Sequence, residues 1–198
     1  MNCTVIIPYV KDRGFLEKAI ESVHEQTVEC DLILSQSDNS VGYNLNRAIE
    51  KCTTEFWVYL CDDDILPVDS VELRMKAMKD NDFIHGNGIV YGSVVASART
   101  PEKKKPTVQD LIEKNHIFGG TGMYRTDLHE KVQWDESLWT GEELDYHMNL
   151  LKNDAKIGYV NEFVYVHRIH EKQKSFAKTE EYRKKRIKAI KEIRNRYK

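Results

Sequence analysis

The amino-acid sequence predicts an α/β protein with three layers, in which helices cover both faces of a mostly parallel central sheet. The first half of the chain alternates apolar runs of strand length with segments whose apolar residues recur at helical spacing. These runs are continuously apolar, as in strands that are buried on both faces. Polar residues follow each run, and ligands of such sheets bind beyond the carboxyl ends of the strands.

Three strand-helix units are predicted before residue 81. The strands are 4–7, 31–35 and 56–61, and the helices are 15–25, 42–52 and 68–80. Two strand pairs are predicted in the second half of the chain. They are strands 83–85 and 89–95 around a Gly86-Asn87-Gly88 turn, and strands 156–160 and 163–166 around an Asn161-Glu162 turn. The other predicted elements are a surface loop 97–106 and helices 107–114, 140–153 and 179–197.

The length of 198 residues predicts one domain with a sizeable core, which we place at residues 1–177. A hydrophobic content of 40% and a charged content of 31% are typical of a soluble globular protein. No apolar run is long enough to span a membrane, and the strand at residue 4 leaves no room for a signal peptide. We therefore expect a cytoplasmic protein with four reduced cysteines and no nucleic-acid partner.

The C-terminal segment 178–198 is strongly basic, with ten Lys/Arg against three Glu, whereas the rest of the chain is acidic. Its apolar residues recur at helical spacing and include Ile187, Ile190 and Ile193. We predict a helix that packs these residues on the same domain. The alternative is a weak contact with an anionic membrane surface.

Three consecutive carboxylates, Asp62, Asp63 and Asp64, directly follow the apolar strand 56–61. Such a cluster repels itself unless it faces water or a cation, and hard oxygen ligands suit Mg²⁺ or Mn²⁺. The alternative is a solvated acidic turn that caps the next helix. Pro8, Tyr9 and Asp38 follow neighbouring strands, so we expect them to converge with the carboxylates on one cleft, which favours the cation.

The segment Thr140-Gly141-Glu142-Glu143 begins a predicted helix. Thr140 and Glu143 match a capping box, which is a purely structural explanation of that glutamate. At helical spacing Leu144, Met148 and Leu151 mark the inward face, Glu143 lies on its flank, and Glu142 points away.

Several motifs along nearly the whole chain resemble the glycosyltransferases of family 2, which have the GT-A fold. Residues 4–9 with 19–23 and 26–27 resemble the opening strand and helix of the family, and residues 44–49 resemble the helix before its metal motif. Residues 59–64 resemble the DxD motif, residues 141–143 the glycine-acidic-acidic segment, and residues 165–170 with Ser175 the closing basic motif. The resemblance implies a GT-A fold and an inverting, metal-dependent glycosyltransferase. It implies that the donor is a nucleoside diphosphate sugar, with UDP as the nucleotide, and that the acceptor is a hydroxyl of a glycan or similar molecule.

The resemblance also implies roles for individual residues. Glu143 is the base, with Asp145 and Glu142 beside it; Pro8, Tyr9, Asp38, Asn44, Asp62, Arg168, His170 and Ser175 bind the nucleotide sugar; Gly120, Thr121 and His167 bind the acceptor; and Asp63, Asp62 and His170 hold Mn²⁺ or Mg²⁺. Two positions depart from the family pattern. Cys61 stands where the first Asp of DxD is common, and Glu143 where Asp is commoner.

Two other hypotheses stay open, and the Cys61 departure favours the first of them. One is a nucleotide-sugar or glycan-binding protein that has the same scaffold and no activity. The other is a metal-dependent nucleotidyltransferase or phosphohydrolase, because acidic clusters on parallel sheets serve those reactions as well.

Overall fold

The structure is a computed structural model that describes residues 2–92, 96–173 and 179–198. These residues form seven strands and six α-helices. In chain order they are β1 (Cys3–Tyr9), α1 (Leu16–His24), β2 (Cys30–Gln36), α2 (Val41–Ile49), β3 (Phe56–Tyr59), α3 (Ser70–Met78), β4 (Phe83–Tyr91), β5 (Ala96–Arg99), α4 (Val108–Glu113), β6 (Met123–Arg125), α5 (Glu142–Lys152), β7 (Ile157–Arg168) and α6 (Glu180–Asn195).

All seven strands belong to one sheet, with the order β2-β1-β3-β6-β4-β5 and with β7 paired to β4. Strands β1, β2 and β3 are parallel, and β7 is parallel to β4 along its whole length. The antiparallel pairs, which involve β5 and β6, span two to four residues of each strand. The predicted α/β fold with a mostly parallel sheet is therefore confirmed.

Each face of the sheet carries its own apolar core, which makes the molecule three layers thick. Ile6 of β1 packs with α2 and α5 on one face, whereas Val5 and Ile7 pack with α1 on the other. This division follows from the alternation of side chains along a strand. The strands can be apolar at every position because both faces are covered.

The second half of the sheet differs from the sequence prediction. The predicted turns at Gly86-Asn87-Gly88 and Asn161-Glu162 are absent, because β4 and β7 run through them as single long strands. The two segments lie opposite each other and absorb shifts in pairing register at Asn87. Gly86 permits this close approach, since a Cβ there would lie 2.5 Å from Val160 Cγ1. Strands β5 and β6 were not predicted.

The C-terminal helix α6 packs against α4 and α5. Ile193 is buried in the core with Ile190 at its edge, but Ile187, predicted to pack beside them, is 68% exposed. The Tyr197 hydroxyl donates to the carbonyl and the Oδ1 of Asp145, both at 3.1 Å. None of the helices in the described ranges is both long and apolar enough to cross a membrane.

The two isoleucines give a matched test of this packing. Ile193→Ala should lower the free energy of unfolding by about 2–5 kcal/mol, because it leaves a cavity in the core. Ile187→Ala, on the same helix, should change it by less than about 0.5 kcal/mol. Urea denaturation followed by circular dichroism measures both values. Equal effects of the two substitutions would show that α6 does not dock through Ile193.

Candidate active site

A cleft of about 480 Å³ opens beyond the carboxyl ends of β1 and β3. Its lining includes Pro8, Asp62, Asp63, Glu143 and His167, which lie far apart in sequence. A wider groove of about 720 Å³ elsewhere on the molecule is lined partly by exposed lysines and contains none of the predicted site residues. The smaller cleft is therefore the candidate active site.

Asp64 is the structural member of the acidic triplet. Its Oδ2 accepts hydrogen bonds from the Tyr165 hydroxyl at 2.6 Å and from His167 Nδ1 at 3.1 Å, and its Oδ1 accepts from the Arg168 backbone amide at 2.8 Å. These three donors belong to β7, so Asp64 joins the acidic loop to that strand. The alternative of a helix-capping turn is not observed, since α3 has Asp69 at its N-cap position.

Asp62 and Asp63 face a single cationic atom. Arg13 Nη2 lies 2.7 Å from Asp62 Oδ1 and 2.9 Å from Asp63 Oδ2. Burial raises the pKa of Asp62, and the hydrogen bond and charge of Arg13 oppose that rise. Two carboxylate oxygens that converge on one positive atom are the kind of ligands that Mn²⁺ or Mg²⁺ prefers, so these residues fit a divalent cation.

His170 contacts the same carboxylate, with Nε2 3.0 Å from Asp63 Oδ2. The Lys172 backbone amide donates to His170 Nδ1 at 3.2 Å, so Nε2 carries the proton that is donated to Asp63. In this arrangement His170 orients Asp63. Binding a metal through Nε2, as the resemblance implies, requires the other tautomer.

Cys61, Asp63 and Asp64 also bring possible ligand atoms within 4.8 Å of one another. Burial, followed by the charge of Asp64, raises the pKa of the Cys61 thiol well above its usual value, and Asp64 is already committed to β7. A hard cation is served better by the oxygens of Asp62 and Asp63.

Glu143 faces the cleft from the first turn of α5. The predicted capping box is absent: the helix begins at Glu142, Gly141 is the N-cap residue with φ of 77°, and no side chain caps it. The Glu143 carboxyl rests on the backbone of Gly119, where a Cβ would lie 2.1 Å from Glu143 Cδ. Burial raises the pKa of Glu143 to about 7, against the opposing charges of His167 and Arg186.

The two neighbouring carboxylates differ from Glu143. Glu142 lines the cleft beside Glu143. Asp145 is buried, accepts from the Tyr197 hydroxyl, and lies 3.5 Å from Arg196 Nη1. Asp145 therefore ties α5 to the end of α6.

The residues predicted to bind the nucleoside occupy different settings. Pro8 lines the cleft, and Asp38 is exposed in the loop after β2. The Tyr9 hydroxyl points to Gln36 Oε1 at 3.4 Å. The Asn44 side chain is buried and bonds Ser35, Ser37 and Ser40, so it shapes the loop after β2.

Gly120 and Thr121, which are predicted to bind the acceptor, are not among the residues that line the cleft. Thr121 is fully buried, accepts from the Gly86 amide at 3.0 Å and donates to the Phe118 carbonyl at 2.6 Å. Gly120 lies under the Tyr165 ring, with a Cβ position 2.2 Å from Tyr165 Cζ. Segment 119–122 is therefore a support on which Glu143 and Tyr165 rest.

Arg74, which was not predicted as part of the site, anchors this support. The side chain is fully buried on α3, and its Nη1 donates to the Gly122 carbonyl at 2.8 Å and to the Gly120 carbonyl at 3.4 Å. Its Nη2 donates to Ser70 Oγ at 2.6 Å and to the Val164 carbonyl at 2.8 Å. Burial lowers the pKa of Arg74 to about 10, so it remains charged at neutral pH.

The closing basic segment lies beside the acidic loop. Burial would lower the pKa of His167, but the hydrogen bond and charge of Asp64 outweigh burial and raise it. Gln173, another residue that was not predicted, donates to the Arg168 carbonyl at 2.7 Å and lies 3.3 Å from His167 Nε2. The Arg168 guanidinium stacks on the Phe15 ring at 4.8 Å. Ser175 lies outside the described residues.

Helix α6 forms a further wall of the cleft. Its lining residues are Tyr182, Arg186, Ile190 and Arg194. The basic C-terminal segment thus contributes positive charge to the cleft itself, which the sequence prediction of a docked helix did not anticipate.

Comparison with known proteins identifies relatives at low sequence identity. An uncharacterized glycosyltransferase of Methanocaldococcus jannaschii is 21% identical over 164 residues, which cover 77% of this chain and 55% of that protein. The chain thus spans about half the length of this curated relative. No family model matches the sequence.

Two solved structures of S. aureus TarS 1–349 share the architecture. The complex with UDP-GlcNAc gives a TM-score of 0.71 at 15% identity, covering 87% of this chain and 60% of that chain. The complex with UDP gives 0.69 at 15% identity, covering 85% and 61%. The resemblance to glycosyltransferases is confirmed by these relatives, and the chain has a GT-A type fold.

Proposed function

We propose that the protein transfers a sugar from a UDP-sugar to a hydroxyl group of a glycan or similar acceptor, with inversion at the anomeric carbon. One observation carries the proposal: Glu143 lines the same cleft as Asp62 and Asp63, whose oxygens converge on one point. Burial raises the pKa of Glu143 to about 7. A base and a cation site are the two groups that this transfer needs.

In the proposed reaction the acceptor hydroxyl attacks the anomeric carbon from the side opposite the diphosphate. A carbon-oxygen bond to the acceptor forms while the bond to the diphosphate oxygen breaks, and the bonding electrons leave with the nucleoside diphosphate. Glu143 removes the hydroxyl proton, which its pKa of about 7 permits at neutral pH. A divalent cation on Asp62 and Asp63 would neutralise charge on the departing diphosphate.

The comparisons support a nucleotide-sugar donor, because structures with the same fold are complexes with UDP-GlcNAc and with UDP. We assign Pro8 and Asp38 to the nucleoside side of the cleft and His167 to the neighbourhood of the diphosphate. Helix α6 turns Ile193 into the core and other residues toward the cleft, which favours the docked helix over the alternative of a membrane contact. A cytoplasmic location stays a prediction from the sequence.

A thermal-shift panel of nucleotide sugars, each with and without Mn²⁺, tests the proposal directly. A donor at about 100 times its dissociation constant should stabilise the protein by about 2.7 kcal/mol. Release of UDP from the best donor, in the presence of candidate acceptors, then tests turnover. Donor binding without any hydrolysis or transfer would favour a binding protein with this scaffold.

Asp63→Ala should abolish the Mn²⁺-dependent part of UDP binding, because it removes an oxygen that faces the cation position. Isothermal titration of UDP with and without Mn²⁺ measures this difference. Asp127→Ala, which removes an exposed carboxylate elsewhere, should leave it unchanged. Undiminished Mn²⁺ dependence in Asp63→Ala would refute the assignment of Asp63 as a ligand.

A further inference from the structure

The loop that follows β1 carries a guanidinium into the acidic part of the cleft. Arg13 Nη2 contacts Asp62 and Asp63 at once, and the Asp62 and Asp63 side chains are only 12% and 10% exposed. Arg13, at 26% side-chain exposure, is the more exposed partner and covers them. The cation position is thus closed by a positive group of the chain itself.

This loop is also attached to the basic segment on the other side of the carboxylates. Arg13 Nη1 donates to the Lys172 carbonyl at 3.2 Å, and Lys172 Nζ donates in return to the Arg13 carbonyl at 3.1 Å. The Phe15 and His170 rings lie 4.3 Å apart. These contacts are exposed or partly buried, so the loop can separate from the segment without unfolding the core.

A divalent cation and the Arg13 guanidinium exclude each other. A Mg²⁺ or Mn²⁺ ion needs its oxygen ligands at about 2.0–2.2 Å, and the space between Asp62 Oδ1 and Asp63 Oδ2 holds Arg13 Nη2. Two positive groups within a few ångströms would also repel each other strongly in a partly buried site. Cation binding therefore requires Arg13 to leave the carboxylates.

We propose that Arg13 is an internal competitor for the divalent cation, which neutralises Asp62 and Asp63 in the free protein and yields its place when cation and donor bind together. The diphosphate of the donor is the anion that the displaced guanidinium can then contact, since Arg13 already lines the cleft. The inference rests on the proposed function. It makes Arg13 a positioning residue whose effect is to make cation binding depend on the nucleotide.

The test is a titration with Mn²⁺ alone, in which the electron paramagnetic resonance signal of free Mn²⁺ reports binding. Arg13→Gln should bind Mn²⁺ at least about tenfold more tightly than wild type, because a like charge is removed from the site. UDP should then increase its Mn²⁺ affinity by a smaller factor than in wild type. Arg13→Lys, which keeps the charge, should remain closer to wild type.

Arg47→Gln is the matched control, because Arg47 also faces two carboxylates, Glu50 at 3.3 Å and Glu136 at 3.4 Å, on the exposed surface. Its Mn²⁺ affinity should equal that of wild type. Circular dichroism and thermal melting confirm that each variant is folded. If wild type binds Mn²⁺ with UDP but Arg13→Gln binds Mn²⁺ alone no more tightly, the competition is refuted and the proposed function stands. If no variant binds Mn²⁺ with or without UDP, both are refuted.

Discussion

Glu143→Gln is expected to bind the nucleotide sugar as wild type does and to transfer sugar about 10²- to 10⁴-fold more slowly, because the amide cannot accept the acceptor proton. The carboxyl rests on Gly119, which leaves room for an isosteric amide, so the cleft should keep its shape. Donor affinity by titration and transfer rate by UDP release separate the two effects. An unchanged dissociation constant with a lost rate is the expected pattern.

The pH dependence of the transfer rate is a second test of Glu143 as the base. Burial raises the pKa of Glu143 to about 7, and only the ionised form can take a proton. The transfer rate of wild type should therefore fall about tenfold per pH unit below that pKa and level off above it. The residual rate of Glu143→Gln should lack this acidic limb.

Two neighbouring carboxylates serve as controls for the assignment. Glu142→Gln should stay near the wild-type rate. Asp145→Asn should lower stability rather than the rate, since Asp145 holds Tyr197 of the C-terminal segment. Near wild-type turnover in Glu143→Gln, with a lost rate in either control, would move the base to that residue.

Arg74→Met should lower the free energy of unfolding by about 2–4 kcal/mol, because an unsatisfied buried hydrogen-bonding group costs about 1–3 kcal/mol. The guanidinium is the donor to the Gly122 carbonyl and to Ser70 Oγ, and methionine leaves these buried groups without it. Urea denaturation at pH 7 measures the change. Arg47→Met, which alters an exposed arginine, should change stability by less than about 0.5 kcal/mol.

A loss of less than about 1 kcal/mol in Arg74→Met would show that the glycine segment holds its place through packing alone. If Arg74→Met folds, its transfer rate and donor affinity also show whether segment 119–122 positions Glu143 for catalysis. Because Glu143 rests on Gly119, displacement of segment 119–122 should lower the transfer rate more than the donor affinity.

The first half of the fold could be predicted because each of its elements carries its own signal. The strands β1 and β3 are apolar at every position, and the helix α2 has its apolar residues on one side. The pairing of β4 with β7 could not be predicted in the same way. Gly86 to Gly88 looks like a turn locally, and only the partner strand, more than 70 residues later in the chain, makes it extended.

Some residues of the candidate site could be predicted from the sequence around them, and others could not. Strand-end position placed Pro8, Asp62 and Asp63 in one cleft, and the structure brings them together there. Glu143, which the family resemblance added as the base, lines the same cleft. Arg13 is a single arginine in a polar loop, and no periodic pattern marks it. Arg74 did carry a signal, since it falls between Val71 and Met78 on the buried side of α3, where an unpaired charge needs an explanation.

The acidic loop can reach its final structure only after strand β7 has been synthesised. Asp64 receives its donors from Tyr165, His167 and Arg168, residues 101 to 104 positions later in the chain. When only the first three strands have left the ribosome, the three carboxylates are present in the nascent chain but Asp64 has none of these donors. The acidic loop therefore acquires its final arrangement only after β7 has been synthesised and has paired with β4, and a long-range closure of this kind slows folding.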